Sequence, residues 1–404
     1  MNPVNNPFTP GAGATPPALV GRDKIINDAK VAIERLKLGR SAQGMILVGL
    51  RGVGKTVLLE RLKEEFQTAG AYTIWVESPE SQDFMAVVAP QIREVLLKLQ
   101  QSEKAKHLAT RSLSALVGLL RSVKVGYEGF EISWDYPIEK GLADSGVFEH
   151  DLISMFVEVG QAAKAGGTPV VLMVDEIQYM DRKLMGSLIA ALHRCTQLGL
   201  PVILFGAGLP QIRAVAGNVK SYTERMFLYP VVDRLSDDDA KSAIEMPVVA
   251  EGANVEQEAL DIAVAHTKGY PYFLQEFGKQ LWNVASGPNL TKADAEEAEG
   301  LTTQELDESF FRSRVDRLTP AELQFLAAMA ELGNGPYAVS DIASLLGKKA
   351  TNAIGPHRAN LITKGMIWSP AHGDVDFTVP MFAEFVRRHY RLDTGGKDYE
   401  KKDI

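Results

Sequence analysis

The stretch Met45-Ile-Leu-Val-Gly-Leu-Arg-Gly-Val-Gly-Lys-Thr56 decides how the rest of the chain is read. Met45 to Val48 is an apolar run of strand character, Gly49-x-x-x-x-Gly54-Lys55-Thr56 is a loop, and a helix-forming segment, Val57 to Phe66, follows at once. Strand, glycine-rich loop and helix in that order are the context in which this pattern binds phosphate. Glycine tolerates backbone conformations that other residues resist. The segment Gly49, Leu50, Arg51, Gly52, Val53, Gly54, Lys55, Thr56, Val57 can therefore turn successive N–H groups onto a phosphate chain, with the positive end of the helix behind them. Lys55 is expected to reach the β- and γ-phosphates, and Thr56 to place its hydroxyl on Mg²⁺. A glycine-rich turn that binds nothing is the plainer alternative, and the complete pattern in this setting argues against it.

The second half of such a site is a carboxylate pair. Pro169-Val-Val-Leu-Met-Val-Asp175-Glu176 is an apolar strand ending in two acids. A strand buried on both faces delivers them to the C-terminal edge of a parallel sheet, where ligands bind in open α/β folds. Asp175 is expected in the Mg²⁺ shell, and Glu176 as the base that polarises the attacking water. Gln178 reads either as a γ-phosphate contact or as an ordinary polar loop residue. A helix over Lys183–Leu198 leads to another buried strand, Pro201-Val-Ile-Leu-Phe-Gly206-Ala-Gly208. Further on, Ser221-Tyr-Thr-Glu-Arg225 reads as a loop passing into a strand. Arg225 there is a candidate arginine finger for a neighbouring subunit's nucleotide, with a structural ion pair to Glu224 as the other reading.

The totals set bounds. At 404 residues the chain exceeds one ordinary core, so two or three domains are expected. No run approaches the roughly 18 apolar residues of a membrane helix. The start, Met1-Asn-Pro-Val-Asn-Asn-Pro, lacks the basic and apolar regions of a signal peptide, so a cytoplasmic protein without a membrane partner is expected. Cys195 is the single cysteine, which excludes an internal disulfide and a cysteine-built zinc site. Its place in Leu192-His-Arg-Cys-Thr suits helical packing better than nucleophilic chemistry. A net charge of −8 argues against wrapping nucleic acid over the whole surface and leaves room for one local basic face.

Around this centre the chain divides as follows. Residues 1–19, rich in Pro, Gly, Asn and Ala, read as an extended arm, and 20–234 as an α/β P-loop core with a parallel sheet. Val20 and Gly21 open the core where a base is expected to pack, and Arg22 is either part of that or a surface charge. Near-alternate Val123, Val125, Tyr127, Phe130, Ile132 and Trp134 predict a β-hairpin inserted at about 121–136. It is either a cover for the core or an interaction surface. From Leu235 to 305 the pattern is helical, with Ser236 as an N-cap before an acidic turn and Gly269-Tyr270-Pro271 between two helices. A helical lid over the nucleotide is predicted. In 306–390, Thr319-Pro-Ala-Glu322 is a capping box, three helices are predicted up to Lys364, and two strands follow. That is the pattern of a winged helix-turn-helix, whose third helix (351–364), which Gly355 and Pro356 inside it could shorten, would expose Thr351, Asn352, His357 and Arg358 to double-stranded DNA. With nine Lys/Arg against seven Asp/Glu over 310–390, protein docking is the competing role. The charged tail 391–404 is predicted to be disordered.

With Val20-Gly21-Arg22, the P-loop, Asp175-Glu176, a helical lid and a winged helix, residues 20–390 resemble the AAA+ and STAND ATPases. The likeness is nearest to the bacterial and archaeal ATP-binding proteins related to origin-recognition and transposon helper ATPases. The resemblance implies ATP and Mg²⁺ as ligands, slow hydrolysis to ADP, and a homo-oligomer or a protein partner. Two departures stand out. Origin-recognition ATPases carry a lid arginine on the γ-phosphate, whereas Gly269-Tyr270-Pro271 resembles the Gly-x-Pro motif of STAND proteins, which places Pro271 near the adenine. Related ATPases also carry a polar side chain at the strand tip occupied here by Gly206, Ala207 and Gly208. Both departures imply a switch more than a processive motor. The alternative is a signalling scaffold of STAND type whose winged helix is autoinhibitory or docks protein. A small-molecule kinase is disfavoured, since nothing after Thr56 resembles an acceptor site.

Overall fold

The computed structural model describes residues 1–11, 13–78, 84–122, 139, 141–348 and 350–392. The chain forms two compact units. One comprises Arg22–Val48 and Lys55–Val231; the other comprises Met1–Gly21, Gly49–Gly54 and Val232–Ile404.

The first unit runs α1 (Asp23–Lys37), β1 (Gly44–Val48), α2 (Lys55–Thr68), β2 (Tyr72–Glu77), α3 (Phe84–Leu99), α4 (Lys106–Ser122), α5 (Phe148–Gly166) and β3 (Val170–Asp175). It continues with α6 (Arg182–Gln197), β4 (Val202–Gly208), α7 (Ile212–Val219), the single turn α8 (Thr223–Met226) and β5 (Phe227–Leu228). The strands form one parallel sheet in the order β2-β3-β4-β1-β5. Every residue of β1, β3 and β4 is buried, which is why these strands are apolar throughout and do not alternate. The register sets Glu77 beside Asp175, Val174 beside Gly206, and Val48 beside Gly208. The segments leaving β1, β3 and β4 consequently emerge along one edge.

Two expectations need correcting here. Arg121 and Ser122, assigned to a hairpin at 121–136, are the last turn of α4, because Leu113, Leu116, Leu119 and Leu120 recur at helical spacing and are buried. The remainder of that hairpin lies outside the described residues. Arg225, expected in a loop, lies in α8, where Thr223 Oγ1 donates to Ala216 O (3.1 Å) and to Lys220 O and so fixes a helical turn.

The second unit runs α9 (Asp237–Ala250), β6 (Asn254–Val255), α10 (Gln257–Thr267), α11 (Pro271–Val284), β7 (Asn289–Leu290) and α12 (Lys292–Glu305). A π-helical stretch (Leu306–Phe311) leads to α13 (Arg312–Val315), α14 (Pro320–Glu331), β8 (Tyr337–Ala338) and α15 (Val339–Leu345). After a 3₁₀ turn (Thr351–Ile354) come α16 (Gly355–Thr363), β9 (Ile367–Trp368), β10 (Asp374–Phe377) and α17 (Phe382–His389). Ser236 Oγ accepts the Asp239 N–H to start α9, and Thr319 with Glu322 forms a reciprocal capping box on α14. Strands β8, β10 and β9 form an antiparallel sheet in that order.

The N-terminal arm is anchored to α11. Phe8 is 3% exposed and lies against Gly278, where a side chain's first carbon would come within 2.6 Å of its ring. Trp282 Nε1 donates to Asn2 O at 2.9 Å. The single helix expected over 351–364 is broken: Thr351 and Asn352 sit in the 3₁₀ turn, and α16 starts only at Gly355 with Pro356 in its first turn. Proline lacks an N–H, a donor that the first turn of a helix does not need, so Pro356 is placed in the first turn of a new helix and does not continue an earlier one. The tail beyond Leu392 lies outside the described residues. Among the described residues no helix is long and apolar enough to cross a membrane.

Candidate nucleotide and metal site

Thr56, in the first turn of α2, donates its hydroxyl to Asp175 Oδ2 at 2.6 Å, joining residues 119 positions apart in sequence. Asp175 is 4% exposed, and its backbone is held by Ser78 N–H donating to Asp175 O at 2.9 Å. Oδ1 accepts the Glu176 N–H at 2.8 Å. Burial pushes the Asp175 carboxyl above the ordinary carboxylate range. The Thr56 hydroxyl and the Glu176 N–H oppose that rise, the Glu176 charge adds to it, and Lys55, itself buried, counters it weakly.

This arrangement fits a hard divalent cation. The donors are a hydroxyl and a carboxylate, oxygen only, and the carboxyl is raised by burial, which a bound cation would offset. Thr56 and Asp175 are the residues that would hold Mg²⁺, which supplies charge neutralisation on phosphate oxygens when bound.

Glu176 follows with φ 48° and ψ 38°, the left-handed region, which costs a residue with a Cβ about 1 kcal/mol or more. This turns the chain out of β3 into a 3₁₀ turn, Ile177–Tyr179. The Glu176 carboxylate accepts a hydrogen bond from Gln178 Nε2, and Gln178 Oε1 accepts the Leu209 N–H at 3.0 Å. From sequence Gln178 is either a γ-phosphate contact or a polar loop residue, and nothing local in the sequence signals these two bonds. Val57 continues α2 in its first turn.

The other nucleotide-binding candidates lie in the second unit. Gly49 can only be glycine, since a Cβ would sit 2.0 Å from Val232 O. Gly52 and Gly54 take positive φ, 81° and 87°. The Arg51 N–H donates to Thr378 O at 3.0 Å, and Gly52 O accepts the Tyr272 N–H at 3.2 Å. Leu50 and Arg51 are half-buried and Val53 is buried. Val20, Gly21 and the Gly269–Pro271 turn converge on Leu235–Asp239. Val20 packs on the cluster containing Leu235. A side chain at Gly21 would meet Asp239 Oδ2 at 2.7 Å, and Leu235 N–H donates to Gly269 O at 2.9 Å. Pro271 is the first residue of α11.

Arg225 is not among these groups. It precedes β5, and the pairing of Gly44 with Phe227 sets it at the sheet's N-terminal end, opposite the edge that carries Asp175. Its side chain is exposed and makes no ion pair with Glu224 or with any other described residue. It borders an open groove of about 800 Å³ lined also by Asp28, Arg35, His193, Tyr222 and Leu228. Cys195 is fully buried, its Sγ 3.5 Å from Phe156 O, and burial pushes its thiol up to about 12, as suits a packing residue.

Residues 18–205 match the AAA ATPase domain family, and residues 308–386 match a domain of unknown function, DUF8462. No curated protein matches the sequence. Among solved structures, a Walker-type ATPase of Pyrococcus abyssi is similar at a TM-score of 0.55 and 15% identity, covering 92% of this chain and 97% of its own. Cdc6p of Pyrobaculum aerophilum (TM-score 0.46, 12% identity, 96% and 98% covered) and the RuvB branch migration motor of Thermotoga maritima (0.43, 14%, 93% and 99%) are looser likenesses that carry no weight. The chain carries an AAA-type, P-loop ATP-binding domain over residues 18–205.

Proposed function

We propose that this protein is a slow ATPase that works as a nucleotide-driven switch. The observation that carries this reading is the bond between Thr56 and Asp175, which joins the end of the phosphate loop to the end of the acidic strand. Lys55 and the loop amides hold the β- and γ-phosphates of ATP, with Val20, Gly21 and Pro271 beside the adenine. Glu176 takes a proton from water as the water oxygen bonds to the γ-phosphorus. The bond from that phosphorus to the β,γ-bridging oxygen breaks, and ADP leaves with the electron pair. Arg225, exposed at the far end of the sheet, serves the nucleotide of a neighbouring copy.

Control runs through residues 49–54. Arg51 N–H donates to Thr378 O and Gly52 O accepts the Tyr272 N–H, so a phosphate that draws the loop amides inward bears directly on the residues at the other end of those bonds. Nucleotide biases a switch only by its different affinity for the two states, and these bonds are where such a difference can arise. The test is sizing and ATP turnover for the wild type and for Glu176→Gln. The variant is expected to bind ATP and accumulate in the ATP-dependent assembly with hydrolysis lost. Unchanged turnover removes Glu176 from its role.

A second reading concerns the output. We read 306–390 as a winged helix, and duplex DNA and protein are its two candidate partners. Arg358 favours protein, because it is half-buried and its Nη2 is already engaged, donating to Ser369 Oγ at 2.8 Å. In that reading the chain is a signalling scaffold of STAND type. Binding to mixed-sequence duplex that weakens steeply with added salt would return the assignment to DNA.

A further inference from the structure

We infer that Gln178 is the positioning residue for Glu176 in ATP hydrolysis, an inference that rests on the proposed role of Glu176 as the base. Three observations converge on it. The Gln178 carboxamide is oriented from both ends, Nε2 donating to the Glu176 carboxylate while Oε1 accepts the Leu209 N–H at 3.0 Å. An amide bonded in this way cannot be flipped without facing Oε1 toward a carboxylate and Nε2 toward an N–H. Second, the space for it is reserved. At the tip of β4 a side chain on Gly208 would place its first carbon 2.8 Å from Gln178 Oε1 and 3.0 Å from Ile177 Cγ2. Third, Glu176 sits in left-handed backbone, which persists only where the surroundings hold it. The strand tip thus contributes to the site through a backbone N–H and a missing side chain, and Gln178 carries that contact on to the base.

Gln178 touches neither the phosphate loop nor Asp175 in the bonds described, so its role separates from binding. Gln178→Ala is expected to lower kcat by up to about 100-fold, since a misplacement of about 1 Å of a reacting group has effects of this order, with nucleotide affinity and Tm little changed. Gly208→Ala should produce the same kcat loss by displacing the carboxamide. The double variant should be no slower than Gln178→Ala alone, because the group being displaced is gone. Turnover would be measured with saturating ATP, and affinity separately with a fluorescent ADP analogue. Wild-type or faster turnover in Gln178→Ala, a loss confined to affinity or Tm, or losses that add in the double variant would each overturn the inference. Glu176→Gln runs alongside. If it turns over normally, the assignment of the base has failed; if it is inactive while Gln178→Ala is normal, only the positioning role has.

Discussion

Asp175 at the end of β3 and Glu322 in the first turn of α14 are both buried carboxylates, 4% and 1% exposed, yet their surroundings push them in opposite directions. Burial works to raise both. At Glu322 it is overcome, because Oε2 accepts from Lys364 Nζ at 2.7 Å and from the Thr319 N–H at 2.8 Å, and the carboxyl is held below its usual range. At Asp175 a hydroxyl, one N–H and the weak effect of Lys55 do not suffice, and the carboxyl is raised. A structural carboxylate is supplied with its cation by the fold. On the reading proposed above, Asp175 is left for a bound cation to neutralise, and what burial costs its charged form would be recovered when that cation binds.

The sharpest way to break this contrast is Asp175→Asn. Turnover should fall about 10³-fold, as expected when electrostatic stabilisation of a phosphoryl transfer is lost. The Tm of the nucleotide-free protein should hold or rise, because an uncompensated buried charge has been removed. A fall in Tm like that of a core variant would make Asp175 structural. Lys55→Ala comes next. ATP affinity should drop about 100-fold through loss of charge-assisted bonds to phosphate, read by isothermal titration, with the apo fold intact.

Glu322→Gln tests the other side, with an expected loss of about 2 kcal/mol in denaturant unfolding, as for a broken cap and charge-assisted bond together. The two carboxylates also differ in sign with pH. Glu322 has a folded pKa below its unfolded one, so its contribution is present above the unfolded value and is lost as pH falls through the folded one. Asp175 has a folded pKa above its unfolded one, so stability declines as pH rises from the unfolded value to the folded one. Unfolding curves across acidic pH should flatten at the low end in Glu322→Gln and lose the decline in Asp175→Asn.

Residues whose roles follow from local pattern were legible in the sequence. The uninterrupted apolar strand before Asp175, the glycine spacing before Lys55 and the Thr319 capping box each declare themselves within about ten residues, because each is a backbone requirement met locally. What escaped depends on partners distant in sequence or on competing local preferences. Gln178 gains meaning only from Leu209 and from the absent side chain at 208. The break before α16 was signalled by Gly355 and Pro356, but where the helix restarts was not, because helical periodicity and proline compete there. Helix α17, absent from the sequence reading, packs Phe382, Phe385 and Val386 into a cluster built from residues as far away as Phe273.

Arg225 carries the contrast to the opposite end of the sheet, where a charge lacks a partner among the described residues. If the shortfall at Asp175 marks a site for a ligand, an exposed guanidinium in a turn fixed by Thr223 can be read the same way, its anion supplied by another copy. The expected effect of Arg225→Ala is the smallest of the set. Turnover should fall about tenfold, well short of the contribution an arginine finger makes to fast GTPases, because the enzyme proposed here is slow. The loss should appear only at protein concentrations where assembly occurs, and wild-type activity per subunit should rise with concentration while that of the variant stays flat. Affinity for ATP should not change, since Arg225 lies at the wrong end of the sheet to touch the nucleotide held by its own chain. A tenfold loss that persists at high dilution would contradict action between copies, because a residue serving a neighbour cannot matter once neighbours are gone.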